Sequence, residues 1–177
     1  MKTKFNQSKL KLAIVSAMLL GTAAITAPTY ALDTNLSVSA SIDMSCSITT
    51  IPLVFGDYEP GSTHATVPLN AQGGVSSTCT TGSSGNIKMG QGLNSGDDSS
   101  DSTPLRRMVN GTDATKFLSY SVYSDSARSS VWENATGVAY TGTGSAATLT
   151  VYGSVPQAQV DAIVGSYSDT LVVAINY

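Results

Sequence analysis

Leu36, Val38, Ala40, Ile42 and Met44 alternate with Ser37, Ser39, Ser41 and Asp43. Successive side chains of a strand point to opposite faces, so this period of two predicts a strand with one apolar face. Residues 117–123 (FLSYSVY) and 147–152 (ATLTVY) alternate as cleanly. Residues 170–177 (TLVVAINY) form the most apolar run, a predicted strand in which Leu171, Val173, Ile175 and Tyr177 share a face. Residues 48–51 leading into 53–56, then 65–69 and 74–80, are further strand candidates, with short ones at 86–89 and 108–109. Residues 57–61 and Asn110-Gly111 carry turn signals, and residues 91–103 (QGLNSGDDSSDST) read as a polar loop. Only residues 157–164 (QAQVDAIV) have the spacing of a helical turn. Many short strands between Gly, Ser, Asp and Asn turns predict an all-β sandwich. No repeat of roughly 20–50 residues is present, which argues against solenoids and propellers.

The first residues follow a different pattern. Lys2, Lys4, Lys9 and Lys11 precede a largely apolar, uncharged stretch at 12–25, and Thr29-Tyr30-Ala31 offers small residues at −3 and −1. These are the parts of a secretory signal peptide, residues 1–31, cleaved after Ala31. The apolar stretch is shorter than the roughly 20 residues that a membrane-spanning helix needs. The exported chain, 32–177, holds five basic against twelve acidic residues, a net charge of −7. Nothing in that balance attracts nucleic acid or an anionic membrane. One histidine and two cysteines exclude a zinc site built from several such ligands. Export instead makes Cys46 and Cys79 a predicted disulfide, closing a loop worth roughly 3–4 kcal/mol on the loop-entropy scale.

Catalytic chemistry finds little support. His64 lies in a Gly-Ser-Thr-His loop and would have to serve as the sole base of any triad, with no GxSxG elbow beside it, so it reads as a surface histidine. Asp97, Asp98 and Asp101 lack EF-hand spacing and read as a solvated loop. Asp57 and Glu59 share a turn, which is a poor arrangement for a glycosidase pair. Trp132, the only tryptophan, reads as a core or interface anchor. No cofactor is expected.

Several segments, taken in order, resemble a known family. They are Phe55-Gly56-Asp57-Tyr58, Leu105-Arg106-Arg107-Met108, residues 118–128 (LSYSVYSDSAR), Val131-Trp132, residues 151–156 (VYGSVP) and residues 165–177 (GSYSDTLVVAINY). With both cysteines they are similar to the spore coat protein U family, which includes subunits of archaic chaperone–usher pili. One departure is Glu133, where family members often place Gly after the tryptophan. The resemblance implies an incomplete immunoglobulin-like β-sandwich that lacks its last strand. A periplasmic chaperone lends a strand during folding, and an outer-membrane usher exchanges it for the N-terminal extension of a neighbouring subunit.

On that reading residues 32–45 are the donor segment and 46–177 the pilin domain. Leu36, Val38, Ala40 and Ile42 form the donor face, and Leu171, Val173, Ile175 and Tyr177 form part of the acceptor groove. The resemblance implies a structural subunit of a surface pilus, exported through the periplasm and used for attachment or biofilm formation. The alternatives are a spore or cell-coat component and, from another class, a secreted β-sandwich lectin or enzyme.

Overall fold

Alternating segments become strands where another strand lies alongside them. The computed structural model describes residues 29–177; the charged and apolar parts of the predicted signal peptide, Lys2, Lys4, Lys9, Lys11 and residues 12–25, lie outside the described residues. Two units divide the chain, one up to Ala40 and one from Ser41 to Tyr177. The second contains β1 (Cys46–Ile51), a short 3₁₀ turn (Thr63–Ala65), β2 (Leu69–Cys79), β3 (Ser84–Met89), β4 (Arg106–Asn110), β5 (Phe117–Tyr123), β6 (Val138–Thr141), β7 (Ala146–Val155), β8 (Tyr167–Ser168) and β9 (Val173–Asn176). All ladders between them are antiparallel.

One sheet has the order β1-β2-β7-β5-β4-β8 and the other β6-β3-β9. Alternation decides which face of each strand is buried. In β5, Leu118, Tyr120 and Val122 point inward, and in β7 Val151 and Val155 do the same. These residues meet Val75 of β2 and Ile87 and Met89 of β3 in one apolar cluster. A core shared by the inner faces of two antiparallel sheets is a β-sandwich, here the immunoglobulin-like one that the sequence implied. β8 and β9 lie in different sheets although only four residues separate them, so the chain crosses between sheets at 169–172.

Trp132 and Arg106 tie the layers together. Trp132 is 1% exposed, as an anchor should be; its backbone N–H donates to Val122 O of β5 and its Nε1–H to Ile87 O of β3. Arg106 of β4 is 2% exposed. Its Nε donates to Gly90 O, and one Nη donates to both Met89 O and Trp132 O. Burial pulls its pKa down from the ordinary guanidinium value, with Tyr120 and Asp169 opposing. Three carbonyls thus take the place of the carboxylate that a buried cation usually needs.

The disulfide joins Cys46 to Cys79, which face each other across the β1–β2 ladder. Beyond it Thr80 N–H donates to Ser45 O, so the staple fixes the start of β1.

Some expectations are corrected. Residues 36–44 form no strand and are not half-buried: Leu36, Val38 and Ile42 are 87%, 85% and 86% exposed. No described strand lies beside them, and an unpartnered strand of this length has no ladder to hold it. Residues 53–56 form no strand, and 65–68 precede β2 rather than forming one. The helical turn expected at 157–164 is an irregular loop, because Ala158 takes a left-handed conformation (φ 60°) that ends any helix.

Candidate strand-binding groove

The sandwich is open along one flank. A groove of about 1010 Å³ runs there, with one wall made by residues 50–58 and Pro60 and the other by residues 162–171 and Val173. Its floor is the apolar core itself, including Val75, Met89, Met108, Leu118, Tyr120, Val151 and Val155. The groove is open to solvent rather than an enclosed void, so core residues on its floor lack a covering layer along this flank.

The first wall is held by side chains. Leu53 and Phe55 point inward over β7, where a Cβ on Gly153 would come within 2.7–2.9 Å of both, so glycine there leaves room for their side-chain ends. The Phe55 ring meets Tyr120 edge to face with centroids 6.0 Å apart. No main-chain hydrogen bond joins residues 52–58 to another described residue. Their N–H and C=O groups therefore form a free edge.

The second wall leads into the C-terminal strand β9, of which Val173 lines the groove. β9 pairs with β3 on one side through Asn86↔Asn176 to Met89↔Val173, and with no described strand on the other. The pairing continues irregularly as Gly90 N–H donates to Val172 O and Leu93 N–H to Thr170 O. Asp169 ends it. One carboxylate oxygen accepts from Leu93 N, Asn94 N and Asn94 Nδ2, and the other accepts from the Tyr120 hydroxyl at 2.7 Å. Burial, followed by this bond and the carboxylate charge, pushes the Tyr120 pKa well above its ordinary value.

The structure distributes the expected site residues unevenly. Leu171 and Val173 line the groove. Ile175 is half-buried against the core and pairs with Ile87, whereas Tyr177 is 55% exposed and lines nothing. Leu36, Val38 and Ala40 lie in the first unit and Ile42 in the second, all exposed.

Sequence reasoning overlooked the first wall, although the PLVFGDY run there has inward residues at Leu53 and Phe55. It also misplaced His64, which is a buried residue rather than a surface one, 9% exposed in the turn behind Tyr58. Glu59 does not act as half of an acidic pair; its carboxylate accepts from the hydroxyls of Ser62 and Thr63. Asp101 accepts from Gln91 Nε2, and its backbone carbonyl takes Asn134 N and Ala135 N.

Residues 32–174 match the Spore Coat Protein U domain family. Protein U of Myxococcus xanthus is 36% identical over 151 residues, spanning 81% of this chain and 83% of that protein. Among solved structures, a chain of the CsuC–CsuE chaperone–tip adhesion subunit pre-assembly complex, from archaic chaperone–usher Csu pili of Acinetobacter baumannii, matches with a TM-score of 0.45 and 16% identity. That match covers 76% of this chain and 40% of the other.

Proposed function

The chain belongs to the spore coat protein U family, and from that premise we propose that it is an exported structural subunit that polymerises by donor-strand exchange. The groove carries this reading: about 1010 Å³ of it is unfilled by the described chain, and each wall presents a backbone edge without a ladder partner. A strand laid between residues 52–58 and β9 would satisfy both edges and bury its inward side chains on the core floor. Leu36, Val38, Ala40 and Ile42 of a neighbouring copy supply such a strand. Leu171 and Val173 receive it, with Ile175 and Tyr177 continuing the acceptor strand. Before exchange the open groove calls for a periplasmic chaperone, and ordered release calls for an outer-membrane usher. The product is a surface pilus serving attachment or biofilm formation, a mechanical rather than an enzymatic role. A second reading, a coat component built from the same domain, is favoured by the family's description and by the likeness to protein U.

The test is complementation in trans. The exported chain alone should aggregate, be degraded or self-polymerise. A synthetic peptide of residues 32–45 at a hundredfold excess over its Kd should add about 2.7 kcal/mol of stability, a rise of roughly 5–10 °C in Tm. A monodisperse monomer whose melt ignores the peptide overturns the proposal.

A further inference from the structure

Ser45 is the last residue before β1, and a single side chain holds it. Cys46 and Cys79 end the β1–β2 ladder, and the register places Ser45 opposite Thr80. Half of the next ladder step survives, because Thr80 N–H donates to Ser45 O at 2.9 Å. The other half would need Thr80 O. That carbonyl has turned away and accepts Ser83 N–H at 3.0 Å and the Ser83 hydroxyl at 2.7 Å. Ser45 N–H donates instead to Thr80 Oγ1 at 3.1 Å. A backbone N–H at the end of a ladder needs an acceptor, and here the threonine hydroxyl stands in for the lost carbonyl. Its own proton faces Ser45 O at 3.2 Å and Asp43 O at 3.4 Å.

The turn that carries Thr80 is itself braced. Gly82 N–H donates to Gly142 O, Gly142 N–H to Ser83 O and Gly144 N–H to Cys79 O. A Cβ on Gly142 would collide with Ser83 Oγ and Thr80 O, so glycine there lets the two turns touch. Ser83 is buried, and the disulfide ties the base of the turn to β1. Residues 41–45, in contrast, are exposed and belong to no strand. Among the described residues, every hydrogen bond they make runs to Thr80.

The chain beyond this point is short. Only Asp43 and Met44 separate Ile42 from Ser45. Four Cα steps, from Ile42 to Cys46, span at most about 14 Å. With Ile42 seated in the groove of a neighbouring copy, that copy must lie against this end of the donating one. The direction in which the chain leaves Ser45 then sets the angle between the two.

We propose that Thr80 is the positioning residue of the joint between copies: its hydroxyl clamps the root of residues 32–45 and so fixes the angle at which one copy is held by the next. The clamp is a property of the single chain, and its consequence for a fibre rests on the strand-donor reading above.

The experiment compares wild type, Thr80→Val and Thr80→Ser. Valine keeps the branched shape and loses the hydroxyl, whereas serine keeps the hydroxyl. Hydrogen exchange of the Ser45 amide is measured by NMR on the exported chain with the peptide of residues 32–45, and the Gly144 amide serves as the control for an intact turn. Thr80→Val should lower Ser45 protection by roughly three- to tenfold, the equivalent of one lost hydrogen bond, and leave Gly144 unchanged. Fibres of each variant are then imaged by electron microscopy. Thr80→Val should assemble at normal yield, with the wild-type Tm, but with a broader distribution of angles between successive copies. Thr80→Ser should restore both wild-type readings. A purely structural Thr80 would lower Tm and yield and leave the angles alone. Unchanged Ser45 protection in Thr80→Val, wild-type angles in that variant, or failure of Thr80→Ser to rescue overturns the proposal. If wild type forms no fibre and never binds the peptide, the strand-donor reading fails instead, and Ser45 protection in the peptide-free chain still decides the clamp.

Discussion

Placing a carboxylate on the proposed donor face is the sharpest perturbation of assembly. Leu36, Val38 and Ile42 keep about 85% of their surface exposed, so nearly all of their burial is still to be gained. Three large apolar side chains at about 1.5–3 kcal/mol each contribute roughly 5–9 kcal/mol on docking, before ordering costs are subtracted. Val38→Asp or Ile42→Asp removes one such share and adds an unpaired charge to a groove whose floor is apolar. The effective penalty for that charge is several kcal/mol, and a loss of about 4 kcal/mol is already roughly a thousandfold in the exchange equilibrium. Ser39→Asp lies on the opposite face and should be tolerated. The assay measures, for each variant, the subunit recovered with its chaperone and the fibres sheared from cells. The two face variants should yield normal chaperone-bound subunit and almost no fibre, because neither residue belongs to the subunit's own core. Loss of folding together with fibre would return residues 36–42 to an ordinary core strand, and full fibre yield in both variants would sink the donor assignment.

Two other outcomes follow from the fold. Cys79→Ser should cost about 3–4 kcal/mol and sharply reduce the subunit surviving export, with non-reducing mass spectrometry of the wild type finding no free thiol; two free thiols would refute the pairing. Tyr120, an acid whose pKa is raised by folding, contributes stability that is present below the unfolded tyrosine value near pH 10 and is lost as pH rises beyond it. Wild type should therefore lose stability above about pH 10 more steeply than Tyr120→Phe, and parallel curves in an alkaline denaturation series would contradict the buried Tyr120–Asp169 bond.

Local periodicity made part of this architecture legible. β5 matches its alternating segment residue for residue, and β7 extends the one read at 147–152 by one residue at its start and three at its end. The lone tryptophan and the cysteine pair also behave as composition and export suggest. β6 escaped notice because its four residues carry too short a pattern to separate from the surrounding Gly and Thr. Residues 36–44 show the limit most clearly. Their alternation is as regular as that of β5, yet β5 lies between β7 and β4 whereas residues 36–44 pair with no strand among the described residues. A period of two reports which face of a segment is fit for burial; it does not report whether the partner is on the same chain.

The groove's polar supports were hidden for a different reason. His64 sits in a sequence context that reads as a surface loop, nothing local marks Arg106 or Asp169 as buried supports, and the last two are held by atoms distant along the chain. Arg106 donates from Nε and one Nη to carbonyls of β3, its following residue and Trp132, with the other Nη left buried without a partner, and Asp169 is held by a tyrosine of β5 and the loop at 93–94. No local pattern encodes such a partner list, because burial of a charge is affordable only once the whole set is assembled. The same fact explains their placement. An open apolar groove cannot be braced by core packing across itself, and on the proposed strand-acceptor reading its space is kept for an incoming strand. Its walls must be fixed from behind or at the ends, and directional hydrogen bonds do this without filling the space. Asp169 holds the second wall to β5 and to the loop at 93–94. The Tyr58–His64 junction, in which the Tyr58 hydroxyl donates to Pro156 O and Ala158 N–H to His64 O, holds the first wall to the loop that leads into the second. The polar residues that look out of place in the sandwich are therefore the ones that keep it open.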